Sequence, residues 1–276
     1  MSNAPYYLKN ARWGERMGHG KMVDGMLYDG LTCAFHDVHM GTYGNKTAHE
    51  LGISREEQDA WAYESHIKAI TAMESGKLAK EIVAVDVTQR KGPPHVVSED
   101  EAPRKDTSIE TLAKLKPVFG KDGTITAGNA PGVNDGAVAL LLMSEKKAKE
   151  VGLDPLAAIV AHTAIAIEPE QFPKTPGLVI NKLLEKTNKK ADEIDLFEIN
   201  EAFAAVALAS KQIAGLDKEK INVNGGAVAL GHPIGASGTR IILTLAYELK
   251  RRGGGLGIAA ICSGGGQGDA VMIEVT

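Results

Sequence analysis

The sequence predicts an α/β protein, and three observations carry that reading. From residue 157 onward, strand-length apolar runs alternate with helix-length segments. The last two runs, Leu256–Ile261 and Ala270–Val275, are joined by a Gly-rich turn, as in an antiparallel hairpin. Asp135-Gly136-Ala137-Val138 and Asp269-Ala270-Val271-Met272 each lead an apolar run out of a Gly-rich turn. That echo reads either as two related sheets or as a common turn type.

Residues 1–50 show no regular pattern, yet Trp13, Met17, Met22, Met26, Tyr28, Phe35 and Met40 crowd them. So many large side chains are expected to pack or to line a pocket. Ser54-Arg55-Glu56-Glu57 has the form of a capping box and opens a helix to about Ser75, stopped by Gly76. Its expected apolar face holds Trp61, Ile67, Ile70 and Met73. Ile82 to Val87 alternates as a strand. Ser108 to Leu115 is a short helix ended by Pro117. Ala137 to Met143 reads as a buried strand, followed by a helix over 144–151. A buried strand needs neighbours for its backbone, and the residues before it supply only 82–87. Beyond it the expected order is strand 157–164, helix 173–188, strand 194–199, helix 202–214, strand 221–224, helix 237–252 and the final hairpin.

Composition excludes several functions. The chain has 31 Lys plus Arg against 35 Asp plus Glu, for a net charge of -4. This does not suit non-specific nucleic-acid binding. Two Cys cannot form a disulfide framework or a four-cysteine zinc site. No run approaches the roughly 18 apolar residues of a membrane helix. The first residues lack the pattern of a secretory signal, so a cytoplasmic location is expected, with an organellar matrix as the alternative. Gly18-His19-Gly20-Lys21 lacks the spacing of a phosphate loop, and no G-x-G-x-x-G follows a strand. His36, His39 and His49 have no partner set at zinc spacing.

Three strand ends carry candidate chemistry. His232 lies between Gly231 and Pro233, where it can serve as a base or as a donor to an oxyanion. Cys262 closes a strand and opens a Gly-rich turn. It reads as a nucleophile, as an acid/base thiol, or as a small core residue. Asn200 follows a strand and is either a helix cap or a site residue. Open α/β sheets place their sites at such ends.

At these residues the sequence resembles the thiolase family of acyl-CoA acyltransferases. The resemblance rests on Asn200-Glu201-Ala202-Phe203, on Gly231-His232-Pro233-Ile234-Gly235-Ala236-Ser237-Gly238, and on Cys262-Ser263-Gly264-Gly265-Gly266. Asp37-Val38-His39-Met40-Gly41 adds to it. It implies a layered αβαβα fold with mixed sheets. Residues 1–133 are expected to form a loop domain that binds CoA and its pantetheine arm. Residues 134–154 would be the last strand and helix of the N-terminal core domain, and 155–276 the C-terminal core domain.

The implied activity is condensation of two acetyl-CoA to acetoacetyl-CoA, or cleavage of 3-ketoacyl-CoA by CoA, through an acyl-cysteine. His232 would take a thiol proton and support an oxyanion, Cys262 would act as the acid/base thiol, and Asn200 would hold an oxyanion-hole water. His39, Met40, Pro131 and Gly264 would meet the CoA thioester. Pro131 departs from the family, where many members have Ser in an Ala-Ser-Gly sequence. No cofactor is called for beyond CoA thioesters as substrates.

A family member is longer by roughly 115 residues. By the resemblance the chain therefore lacks an N-terminal part carrying the nucleophilic cysteine, since neither Cys33 nor Cys262 matches that motif. The implied partners are acyl-CoA and CoA, a small N-terminal subunit bearing that cysteine, and further copies in a dimer, homotetramer or heteromer. The alternatives are a non-catalytic CoA-binding or assembly subunit, a truncated chain inactive alone, and an α/β protein that uses these motifs structurally.

Overall fold

A computed structural model describes residues 1–276. The first 50 residues hold more order than their pattern suggests. Strands β1 (Tyr6–Leu8) and β2 (Met22–Asp24) pair antiparallel. Helix α1 (Met40–Glu50) is capped by His39, whose Nδ1 accepts from the Gly41 N–H at 3.0 Å. The expected packing of the large side chains fails in part: Trp13, Met17 and Phe35 are 86%, 96% and 71% exposed. A pair of three-residue strands has too little surface to cover them.

Helix α2 (Arg55–Glu74) begins where expected. The Ser54 hydroxyl accepts from the Glu57 N–H, and the Glu57 carboxylate accepts from the Ser54 N–H at 2.7 Å. Its inner face differs from the expected one. Trp61 is buried, but Ile67 is exposed, and Gln58, Asp59, Ser65 and His66 turn inward beside Ala62, Ala69 and Ala72. This face meets polar groups of the second half, so hydrophobicity alone does not set which side is buried.

Strand β3 (Val85–Val87) pairs with β4 (His95–Val97), and helix α3 (Ile109–Ala113) follows. The run at 137–143 is the main departure from expectation. It forms no strand, and Leu141 and Leu142 are 80% and 69% exposed. Apolar composition states a tendency to burial, but a strand also needs a partner for its N–H and C=O groups, and none lies beside it. Helix α4 (Glu145–Val151) then starts at the Ser144 cap.

The second half follows its pattern closely. Strand β5 (Ala158–Ala166), helix α5 (Thr175–Thr187), strand β6 (Leu196–Ile199) and helix α6 (Ala204–Ala214) come in order. The short helix α7 (Ala227–Leu230), helix α8 (Ser237–Arg251) and strands β7 (Gly255–Ser263) and β8 (Gln267–Val275) complete it. The expected strand 221–224 reduces to one bridge, Phe197 to Ile221. Asn222 takes φ 45 there and turns the chain away.

The four long strands form one sheet in the order β5-β8-β7-β6, parallel between β6 and β7 and antiparallel elsewhere. Alternation of side chains gives it two covered faces. Ile258 and Ala260 pack with Val179, Ile180 and Leu183 of α5, while Ala259 packs with Ile241, Leu245 and Leu249 of α8. The β7–β8 turn requires glycine at Gly266: φ is 76, and a Cβ would lie 2.1 Å from the Ile167 carbonyl oxygen.

Candidate active site

Strands β6 and β7 run parallel, with Ile199 beside Ala260. Their C-terminal ends therefore bring Asn200 and Cys262 out at the same edge. The Asn200 N–H donates to the Ala260 carbonyl at 3.0 Å, which fixes its backbone. His232 arrives from the turn between α7 and α8. Gly231 makes that turn with φ 99, and a Cβ there would lie 2.4 Å from Asn134 Oδ1. Pro233 follows, and its carbonyl accepts from the N–H groups of Ala236 and Ser237 at 2.8 and 3.0 Å.

These local constraints set the His232 ring between two polar neighbours. Its Nε2 lies 3.3 Å from Asn200 Nδ2, and its Nδ1 lies 2.6 Å from Ser237 Oγ. Burial, helped by the Arg240 charge, pushes the His232 imidazole down to about 4, so it is neutral near pH 7. Cys262 is 7% exposed. Burial pushes its thiol up to about 12, which makes the protonated thiol the resting form.

A cavity of ≈ 590 Å³ opens onto this edge. His232, Cys262, His39, Met40, Pro131 and Gly264 all line it. Asn200 does not. It is fully buried behind His232, and its Oδ1 has no hydrogen-bond partner. Cys33 sits in the same buried cluster as Cys262 but does not line the cavity.

Some residues of the site region were not singled out from sequence. Phe119 lines the cavity and stacks on His39 with ring centroids 4.2 Å apart. A Cβ on Gly41 would lie 2.1 Å from that ring, so Gly41 makes the stack possible. Glu201 is 1% exposed and accepts from Trp61 Nε1 at 2.8 Å, Ser65 Oγ at 2.9 Å, Asn222 Nδ2 at 2.9 Å and the Val228 N–H at 3.0 Å. It joins α2 to the segments that deliver Asn200 and His232. Its place two residues past an apolar strand, within the Asn200-Glu201-Ala202-Phe203 segment, gives no sign of this role in sequence, because its α2 partners lie more than a hundred residues away. Ser237 is likewise fully buried against His232. No group of three or more His, Cys, Asp or Glu lies where it could hold a metal ion. No helix is long and apolar enough to cross a membrane.

A buried thiol, a neutral imidazole and an amide collected at one sheet edge suit acyl transfer between thioesters. Comparison with known proteins gives that class its family. Residues 1–146 match "Thiolase, N-terminal domain" and residues 153–275 match "Thiolase, C-terminal domain". The chain belongs to the thiolase family, and acyl-CoA C-acyltransferase activity on CoA thioesters goes with that membership.

The relatives agree. The chain is 50% identical over 273 residues to an acetyl-CoA acetyltransferase of Pseudomonas aeruginosa, covering 99% of this chain and 70% of the relative. It is 47% identical to a probable acetyl-CoA acyltransferase of Staphylococcus aureus, with the same coverage of both chains. Among solved structures it superposes on the Bacillus anthracis acetyl-CoA acetyltransferase with a TM-score of 0.95 at 47% identity, covering 99% of this chain and 68% of that one. The acetyl-CoA acetyltransferase of Syntrophomonas wolfei gives 0.93 at 41% identity, covering 100% and 70%.

These matches correct one expectation. The reading of a chain without the N-terminal catalytic part, and of an αβαβα fold present only in fragments, does not hold. The N-terminal domain description matches from residue 1, and both core domains are represented in this chain. The small separate subunit carrying the nucleophile goes with it, since nothing in the matched architecture calls for one. That expectation rested on the length of family members and on the absence of a nucleophile motif at Cys33 or Cys262, with the unpaired run at 137–143 as a further hint, and none of these is a domain signature.

Proposed function

We propose that this chain interconverts two acetyl-CoA with acetoacetyl-CoA and CoA, or cleaves a longer 3-ketoacyl-CoA with CoA, and that Asn200, His232 and Cys262 handle the enolate half of the reaction. The observation that carries this reading is the shared cleft: Cys262 and His232 both face it, and Asn200 stands 3.3 Å behind the His232 ring.

In the cleavage direction a thiolate sulfur bonds to C3 of the 3-ketoacyl thioester, the C2–C3 bond breaks with its electron pair passing to C2, and the acyl group is left as a thioester that CoA finally carries away. The resulting enolate oxygen needs donors, which His232 supplies directly and Asn200 through a water that it would hold. The C2 carbon needs a proton, which the Cys262 thiol supplies. A thiol held protonated by burial is the form this direction requires. In the condensation direction the same thiolate removes a proton from the acetyl-CoA methyl group.

His39, Met40, Pro131 and Gly264 would hold the pantetheine arm and the acyl group. Pro131 has no hydroxyl where many relatives have Ser, so the arm has one donor fewer here. Residues 1–133 would act as the loop domain, 134–154 as the end of the N-terminal core with α4, and 155–276 as the C-terminal core. A cytoplasmic location fits this reading.

The test is thiolysis. The chain, acetoacetyl-CoA and CoA are combined, and acetyl-CoA is followed by chromatography. Cys262→Ser is expected to lose about 10²–10⁴-fold in turnover with an unchanged circular dichroism spectrum. Equal turnover in that variant would sink the role given to Cys262.

A further inference from the structure

We propose that Asn222 is a positioning residue for the reaction: its side-chain amide stands in for a neighbouring strand at the end of β6 and so fixes the place of Asn200. This rests on the assignment of Asn200 to the enolate half of the reaction.

Strand β6 is the edge of its sheet, with β7 on one side only. On the other side the chain supplies a single bridge, Phe197 to Ile221, and the Asn222 N–H donates to the Phe197 carbonyl at 3.0 Å. The backbone then turns away at Asn222, with φ 45, and runs toward α7 and His232. An open edge here would leave the N–H and C=O of Ile199 unpaired, and Ile199 is fully buried. The Asn222 side chain meets both groups. Its Oδ1 accepts from the Ile199 N–H at 2.8 Å, and its Nδ2 donates to the Ile199 carbonyl at 2.8 Å. The amide thus continues the ladder by one step after the backbone has left it. The second hydrogen on Nδ2 goes to Glu201 Oε1 at 2.9 Å.

The chemistry selects asparagine. An N–H group only donates and a carbonyl only accepts, so the two Ile199 groups fix which end of the amide faces each of them. A carboxylate has no hydrogen for the Ile199 carbonyl, and a hydroxyl meets only one of the two groups. Asn also adopts a positive φ more readily than most residues.

The consequence falls on Asn200. The peptide unit that enters it is held at both ends. Its N–H donates to the Ala260 carbonyl of β7 at 3.0 Å, and its C=O, that of Ile199, accepts from Asn222. The Asn200 side chain is held less firmly: Nδ2 lies 3.3 Å from His232 Nε2, and Oδ1 has no partner. The backbone therefore sets where that side chain stands. Asn222 does not line the cavity, so its effect on turnover passes through Asn200 and not through contact with CoA.

The test is a double-mutant cycle in the full chain, read by thiolysis of acetoacetyl-CoA. Asn222→Gly removes the amide but keeps a residue at ease with positive φ. It is expected to lower kcat by about 10–100-fold, with KM for acetoacetyl-CoA little changed and the circular dichroism spectrum retained. In Asn200→Ala the group to be positioned is gone, and adding Asn222→Gly is expected to change kcat by less than about 3-fold. Should Asn222→Gly not fold, Asn222→Ser keeps one of the two Ile199 contacts and serves as the milder variant in the same cycle. Unchanged kcat in the single variant, or an equal loss in both backgrounds, overturns the proposal. Wild-type turnover in Asn200→Ala alone overturns the assignment of Asn200 on which it rests, and that result is seen without any change at residue 222.

Discussion

His232 combines three constraints in one side chain: a glycine before it, a proline after it, and polar neighbours at both ring nitrogens. Its depressed value has a consequence for stability. The folded-state value is about 4, against 6.5 for an ordinary imidazole. Between those two values the unfolded chain binds the proton more readily than the folded one. The stability His232 contributes is therefore complete above about pH 6.5 and is lost as pH falls toward 4, by up to about 3 kcal/mol. His232→Asn removes the titration. Urea unfolding at about pH 7 and about pH 5 is expected to show a smaller loss on acidification in the variant than in the wild-type protein. Equal losses would show that His232 is not buried as a neutral ring. At this scale the sequence was informative. Asn200, His232 and Cys262 were legible because short polar segments after apolar runs stand out, and the fold does bring them to one edge. Ser237 and Glu201 were not, because a buried polar residue is recognised only by partners that the fold supplies.

Among the elements, α2 shows where periodicity stops being a guide. Its start was readable from Ser54 and Glu57, yet its inner face is largely polar and small. That face exists to meet Glu201, which accepts from Trp61 and Ser65 of α2 and from Asn222 and Val228 of the C-terminal half. The Ser65 hydroxyl also accepts from the Gly226 N–H at 2.9 Å, just ahead of α7. The seam between the two halves thus carries a hydrogen-bond hub beside apolar contacts such as those of Trp61, Ala62 and Leu112 with the second-half core. Glu201→Ala would strand four buried donors at once, and a loss of about 3–5 kcal/mol in urea unfolding is expected. A loss below about 1 kcal/mol would mean that water replaces the carboxylate without cost. The runs at 137–143 and 221–224 failed as strands for a related reason. Composition shows that a segment would accept a sheet, whereas pairing depends on what lies beside it.

For the whole molecule, the second half was legible almost element by element, because each strand and helix there is long enough to carry its own period. The first half was not, since its strands are three residues long and its order comes from contacts with the rest. Length misled most. Set against the resembled family, it suggested a chain missing an N-terminal part of roughly 115 residues, while the family descriptions match both thiolase domains within residues 1–275. What unites the molecule functionally is the sheet edge where β6 and β7 end, with the loop region of His39, Met40 and Pro131 facing it across the cavity. The central claim is that Cys262 moves the proton of the acetyl-CoA methyl group while His232, with a water that Asn200 would hold, stabilises the enolate oxygen. Exchange of the methyl hydrogens of acetyl-CoA in deuterated water, followed by mass spectrometry, tests it most directly. The account predicts exchange with the wild-type chain and a drop of about 100-fold or more in both Cys262→Ser and Asn200→Ala. Exchange at the wild-type rate in both variants would contradict it.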